Sequence, residues 1–219
     1  MTAGARSALA SLFFVSAAIL TLELYWVRAF AESEWGHLAS MVVSTAMLGI
    51  GAGGTFVLLA GDRLVADEAR SRVALLVAFL VLAALGPLIV RQLPFEPLLL
   101  LWRPSAWLWV ILREAVIAAG FAAAGAVVAL AFRVESARPG TIYAVNLLGS
   151  ASGVALALAL MAHRPTSDLH VAAMVAAVFS LAAALPGPRL RRIAVVASAA
   201  IWVALASRWS EPSLHPTKD

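Results

Sequence analysis

Two carboxyl groups and two guanidinium groups stand inside otherwise apolar stretches: Glu23 with Arg28, and Arg113 with Glu114. Charged groups at membrane depth are costly, and they face a protein interior or a water-filled cavity. Carboxylates in such places suit a polar or cationic ligand. A carboxylate within reach of a guanidinium suits a structural pair just as well, and both readings stay open. His37, Tyr143 and Asn146 complete the set of candidate ligand-binding residues. Tyr143 and Asn146 follow the Pro139-Gly140 break, and Asn146 is expected to hydrogen-bond to a neighbouring helix.

Other chemistry finds little support. The histidines show no i, i+3 or i, i+4 spacing and no His-Glu-x-x-His, so no local metal site is written in the chain. His37 lies at a depth comparable to His163 and His170, an arrangement a bis-histidine haem would need, but nothing else points to haem. The serines have no nucleophile context. With no cysteine, disulfides, thiolate metal sites and cysteine nucleophiles are excluded. No catalytic residue, metal or cofactor is expected.

These residues must be positioned by membrane helices. The sequence predicts an all-α, polytopic bundle with spans at Ala8–Phe30, Gly36–Ala60, Val73–Gln92, Ala106–Phe132, Ile142–Ala162, Leu169–Leu185 and Leu190–Arg208. Each approaches the roughly 20 residues that cross about 30 Å of hydrocarbon. A composition 63% hydrophobic and 13% charged agrees. Residues 1–210 form the membrane domain in this reading, and 211–219 form an exposed tail or linker with Pro212 and Pro216. The run Leu9–Leu22 followed by Ala29-Phe30-Ala31 imitates a secretory signal, but Glu23 and Arg28 interrupt it, so it is taken as the first span.

Arg6, Arg63, Arg70, Arg72, Arg133, Arg138, Arg189, Arg191 and Arg192 fall on one side of the membrane, and fewer basic residues fall on the other. The positive-inside rule then predicts a cytoplasmic N-terminus. The net charge of +4 is this topology signal, and no nucleic-acid partner is expected. Glu23, Glu32, Glu34, Trp35, His37, Arg113, Glu114, His163, Arg164, Asp168 and His170 are expected at the opposite, outer side, with His170 in the turn between spans five and six.

Gly49-Ile-Gly51-Ala-Gly53-Gly54 matches the dinucleotide pattern G-x-G-x-x-G, but it lies inside an apolar run with no strand before it. Gly49 with Gly53, and Gly149 with Gly153, read instead as small-xxx-small faces for close helix packing. Such faces are expected to hold a protein partner or a second copy of the chain. No internal repeat is evident, and a Gly86-Pro87 break in the third span is the one transporter-like sign.

Two stretches together resemble a known family. They are Glu23-Leu-Tyr-Trp-Val-Arg28-Ala-Phe30, continuing through Trp35-Gly-His37 to the glycine-rich second span, and Ile142-Tyr143-Ala-Val-Asn146-Leu-Leu-Gly149-Ser-Ala-Ser-Gly153. They resemble the membrane half of the integral-membrane spermidine-synthase-like proteins of bacteria. In that family a multi-helix domain precedes a soluble aminopropyltransferase-like domain. The soluble half's glycine-rich nucleotide loop and aspartate pair have no counterpart in these 219 residues. The resemblance therefore implies a non-catalytic module in a bacterial inner membrane, acting as a partner-binding subunit or anchor with an outward-facing polar ligand site. A transporter of polyamine-like cations is the alternative, and a haem- or quinone-associated subunit is a further one.

Overall fold

A computed structural model describes residues 3–33, 36–94, 100, 102–193 and 195–196. It contains six long helices: α1 (Ala3–Ser33), α2 (Gly36–Ala66), α3 (Glu68–Gln92), α4 (Ala106–Val134), α5 (Pro139–Met161) and α6 (Thr166–Ala184). Each includes a segment long and apolar enough to cross a membrane. Among the described residues there is no strand, and the chain is an all-α bundle. Most of the expected seventh span, Leu190–Arg208, and the whole tail at 211–219 lie outside the described residues. Helix is present at residues 188–193.

The helices outrun the apolar stretches at several ends, because a helix need not stop where hydrocarbon stops. α3 begins at Glu68, where the Asp67 side chain accepts a hydrogen bond from the Arg70 amide at 3.3 Å and caps the first turn. α5 begins at Pro139, which has no N–H to leave unsatisfied in the first turn. α2 runs on to Ala66, past Asp62 and Arg63.

α1 is apolar nearly all round and sits at the centre, with Leu12, Val15, Ala18 and Leu22 almost wholly buried. Its main neighbours are α6 and α5, while the main neighbours of α4 are α2 and α3. Neighbour for neighbour, α4 therefore stands to α2 and α3 as α1 stands to α5 and α6. α1 also packs on α2, more extensively than α4 does on α5, and α1 with α4 and α3 with α6 meet across the middle. The chain is thus two interlocked triplets, α1–α3 and α4–α6, each first helix cradled by the second and third helices of the other triplet. Three helices per triplet make the second triplet run opposite to the first. This is an inverted-topology repeat.

The correspondence reaches single residues. A Cβ on Gly49 would meet Ala118 O at 2.5 Å and Phe121 Cβ at 2.8 Å; one on Gly149 would meet Phe13 O, with Ser16 Cβ at 3.0 Å. Gly53 lies against Ala122 O, and Gly153 against Ala17 O. Positions 13, 16 and 17 of α1 map onto 118, 121 and 122 of α4, while 49 and 53 of α2 map onto 149 and 153 of α5. In both places two parallel helices approach until backbone touches backbone, which only glycine permits.

Arg28 and Arg133 stand at equivalent positions of α1 and α4, and each reaches carbonyls near the far end of the paired helix, those of Arg133 lying about one turn earlier. Arg28 Nη1 donates to Met161 O at the end of α5 (3.2 Å), and Arg133 Nη1 donates to Val57 O and Leu58 O of α2 (3.4 Å each). Each guanidinium also holds a carboxylate: Glu32 for Arg28 at 2.6 Å, Asp62 for Arg133 at 2.9 Å. The sequence expectation of no internal repeat is corrected here. The repeat is carried by backbone approach between small residues, and few identities survive to reveal it.

Candidate functional site

The bundle has two ends. One gathers Arg6, Arg63, Arg70, Arg72, Arg133, Arg138 and Arg189–Arg192, and is called the arginine end. The other gathers the C-termini of α1, α3 and α5 with the N-termini of α2, α4 and α6, and is called the polar end. In the half of the bundle nearer the polar end lies a layer of buried aromatic and polar side chains from α1, α2, α4 and α6, with a backbone carbonyl from α3.

On α1, Tyr25, Trp26 and Phe30 are buried as a ladder, with centroids 5.1 Å apart for Tyr25–Trp26 and 5.7 Å for Trp26–Phe30. Arg113 of α4 is buried with its guanidinium carbon 5.1 Å from the centroid of the Phe30 ring. That cation–π contact offsets part of the cost of burying the charge, by roughly 0.5–2 kcal/mol. Beside Arg113, Glu114 leaves the helix in a different direction and accepts a hydrogen bond from Thr45 of α2 at 2.5 Å. Glu23, half-buried on α1, makes no hydrogen bond or ion pair among the described residues. Glu23 and Glu114 are thus two half-buried carboxyl groups in the same half of the bundle as the aromatic ladder.

His170 of α6 completes the layer. It is 1% exposed, and its ring stands 4.7 Å from that of Tyr25, tilted by 35°. Its Nε2 lies 3.0 Å from Ala83 O of α3. That carbonyl would ordinarily accept from the N–H of residue 87, but residue 87 is Pro and has none. The imidazole supplies the donor the proline removes, which fixes the tautomer with the proton on Nε2. Gly86, one residue earlier, lets Trp26 Cζ2 come to 3.4 Å from where a Cβ would stand.

Several sequence expectations are redrawn by these positions. His170, placed in a turn by sequence, is buried on α6 beside Leu169 and one turn from Ala173 and Met174. Its i, i+3, i+4 spacing to those residues was a readable sign. Glu23 and Arg28 do not pair, since Arg28 serves Glu32 and Met161 O. Thr166 Oγ1 also donates to Glu32 (2.5 Å), so this cluster ties α1, α5 and α6 together at the polar end. Arg28 is a clamp of the repeat rather than part of the layer.

Tyr143 and Asn146 lie apart from the layer. Tyr143 is 59% exposed near the arginine end. Asn146 Oδ1 accepts from Ser16 at 2.8 Å, and Ser16 lies seven residues before Glu23, about 10 Å along α1. Asn146 is therefore a helix–helix latch. Gly49, Gly53, Gly149 and Gly153 are used within the chain, where they bring α2 onto α4 and α5 onto α1. The sequence predicts these glycines at an interface with a partner or second copy; instead they are buried between helices of this chain. His37 lies on α2 with its side chain outside the described ones, and Glu34 and Trp35 lie outside the described residues.

The repeat separates scaffold from site. Glycine cradles and terminal arginines occur twice. The polar layer occurs once: the register that maps Phe13 to Ala118 places Val128 opposite Glu23, Leu130 opposite Tyr25, Ala8 opposite Arg113 and Leu9 opposite Glu114. The symmetry-related positions on α1 and α4 are filled by apolar residues, so the repeat itself does not call for polar ones there. Among the described residues, no group of three or more His, Cys, Asp or Glu side chains is placed to hold a metal ion. Compared with known proteins, the chain matches no family model, no curated relative and no solved structure.

Proposed function

We propose that this chain is a small membrane carrier for an organic cation of the polyamine kind, with Glu23 and Glu114 as its carboxylate contacts and the Tyr25–Trp26–Phe30 ladder as its apolar wall. The observation that carries this reading is the inverted repeat with a polar layer present only once. Inverted repeats recur in secondary transporters, where the two halves exchange conformations around a fixed site. A half-buried carboxyl group within a spanning segment is a functional candidate for the same reason that it is costly. The arginine end is read as cytoplasmic, in a bacterial inner membrane.

Uptake of labelled spermidine into proteoliposomes tests the reading. The wild-type chain is expected to raise uptake above that of protein-free vesicles. Glu23→Gln and Glu114→Gln should each lower it about tenfold, the effect of losing roughly 1.4 kcal/mol from a charge-assisted contact. Uptake equal to that of protein-free vesicles, for spermidine, putrescine and a simple monoamine alike, would overturn it.

A second reading, a non-catalytic module that docks a protein partner like the membrane half of the spermidine-synthase-like proteins, is favoured by α5. That helix packs mainly through its glycine face on α1 and leaves Tyr143, Leu147 and Leu148 exposed. A stoichiometric protein recovered with the chain from its native membrane, and lost on Leu148→Arg, would support that reading instead.

A further inference from the structure

The Gly86-Pro87 step divides α3. Before it, Leu76, Phe79 and Ala83 are buried in the seam with α4 and α6; beyond it, residues 88–92 form the last turn at the polar end. Pro87 removes the N–H that would bind Ala83 O, and a proline ring also crowds the carbonyl four residues earlier. A helix so interrupted has a soft joint unless something outside it satisfies the freed carbonyl.

That outside group is His170, which belongs to the other triplet. Its bond to Ala83 O is therefore both the missing rung of α3 and a tie across the seam between the repeats. Gly86 adds to the softness, since it has no side chain of its own to pack and rests against Trp26. α6, the counterpart of α3, has no proline between Thr166 and Ala184, so the arginine end has no equivalent joint.

We propose that the bond from His170 to Ala83 O is a latch on a hinge at Gly86-Pro87, and that its release swings the last turn of α3 away from α1 and opens the polar layer at the polar end. Val90, in this last turn, is buried in the same core cluster as Tyr25, Trp26 and Phe30, and Trp26 and Tyr25 lie against Gly86 and His170 respectively. Once the latch is free, Ala83 O can be satisfied by water entering along the same path, so the open state leaves no orphaned carbonyl. The hinge stands whatever the layer binds, because it follows from α3 and His170 alone.

Spin labels test it directly, since the chain has no native cysteine to remove. Gln92→Cys with Ser33→Cys reports the separation of α3 and α1 at the polar end, and Ala69→Cys with Arg6→Cys reports the arginine end. All four positions are exposed. In His170→Ala the polar-end distances should shift longer and broaden while the arginine-end distances stay as in wild type. His170→Gln, which keeps a side-chain N–H donor, should restore much of the wild-type distribution. Should His170→Ala fail to fold, Pro87→Ala with His170 intact is the second arm: it restores the backbone donor and should narrow the polar-end distribution. Unchanged polar-end distances in a folded His170→Ala protein, or in Pro87→Ala, would overturn the hinge.

Discussion

Gly53→Leu and Gly153→Leu will each cost this protein its fold, although both substitutions add only apolar atoms inside a membrane helix. The atoms in the way belong to backbone, Ala122 O and Ala126 N for Gly53 and Ala17 O and Ala17 Cα for Gly153, so no side-chain rotation can relieve the clash. Overpacking against movable side chains costs about 1–3 kcal/mol, and separating two helix backbones should lie at or above the top of that range. Gly51→Ala is the control. It sits on the same helix with nothing within 4 Å of its added Cβ, and alanine is favoured over glycine in a helix by roughly 0.5–1 kcal/mol. Thermal unfolding followed by size-exclusion chromatography in detergent should show collapse or a large loss of Tm for the two leucine variants and an equal or higher Tm for Gly51→Ala. Equal behaviour of Gly51 and Gly53 variants would remove the cradle from the account.

These glycines also show where the sequence was legible. Gly49-xxx-Gly53 and Gly149-xxx-Gly153 announce close helix packing, because nothing else explains small residues spaced by one turn in an apolar span. What they pack against is not announced. The contacted surfaces at Phe13–Ala17 and Ala118–Ala122 offer backbone carbonyls, which every sequence has. The helical bundle was readable from hydrophobic length alone, and the inverted repeat was hidden because it is conserved in spacing and not in residue type. Leu48, Gly49, Gly53 and Leu58 recur at 148, 149, 153 and 158, with little else between them.

The polar layer was half legible. Glu23, Arg113 and Glu114 stood out as charges at membrane depth. Their grouping with Tyr25, Trp26 and His170 depends on α6 lying between α1 and α3, which no local pattern encodes. Arg28, Tyr143 and Asn146 looked like members because they are polar and near the first and fifth spans. The structure gives Arg28 and Asn146 to helix clamping and leaves Tyr143 at the surface.

Removing the imidazole and removing the proline will not have additive effects on stability. His170→Ala alone deprives Ala83 O of its donor in a buried place and leaves a cavity beside Tyr25. Its cost is expected to reach about 2–4 kcal/mol, the sum of an unsatisfied buried carbonyl and a large-to-small core change. In a Pro87→Ala background, residue 87 brings its own N–H to Ala83 O. The same His170→Ala change should then cost less by roughly 1–3 kcal/mol, the worth of the carbonyl's hydrogen bond. A double-mutant cycle read by thermal unfolding gives the coupling directly. A coupling indistinguishable from zero would mean that the imidazole does not stand in for the missing rung.

The proposed carrier role requires that the polar layer, held between two inverted triplets, be reached in turn from both sides of the membrane, by the hinge at the polar end and by rocking of one triplet against the other at the arginine end. The most direct measurement is the labelling of a single cysteine at Glu23→Cys with a membrane-impermeant thiol reagent, added to right-side-out vesicles and, separately, to inverted ones. Ser33→Cys, at the exposed end of α1, serves as the control for a position open to one side only. The account predicts that Glu23→Cys is modified from either side while Ser33→Cys is modified from one. Modification of Glu23→Cys from a single side, or from neither while Ser33→Cys reacts, would contradict it.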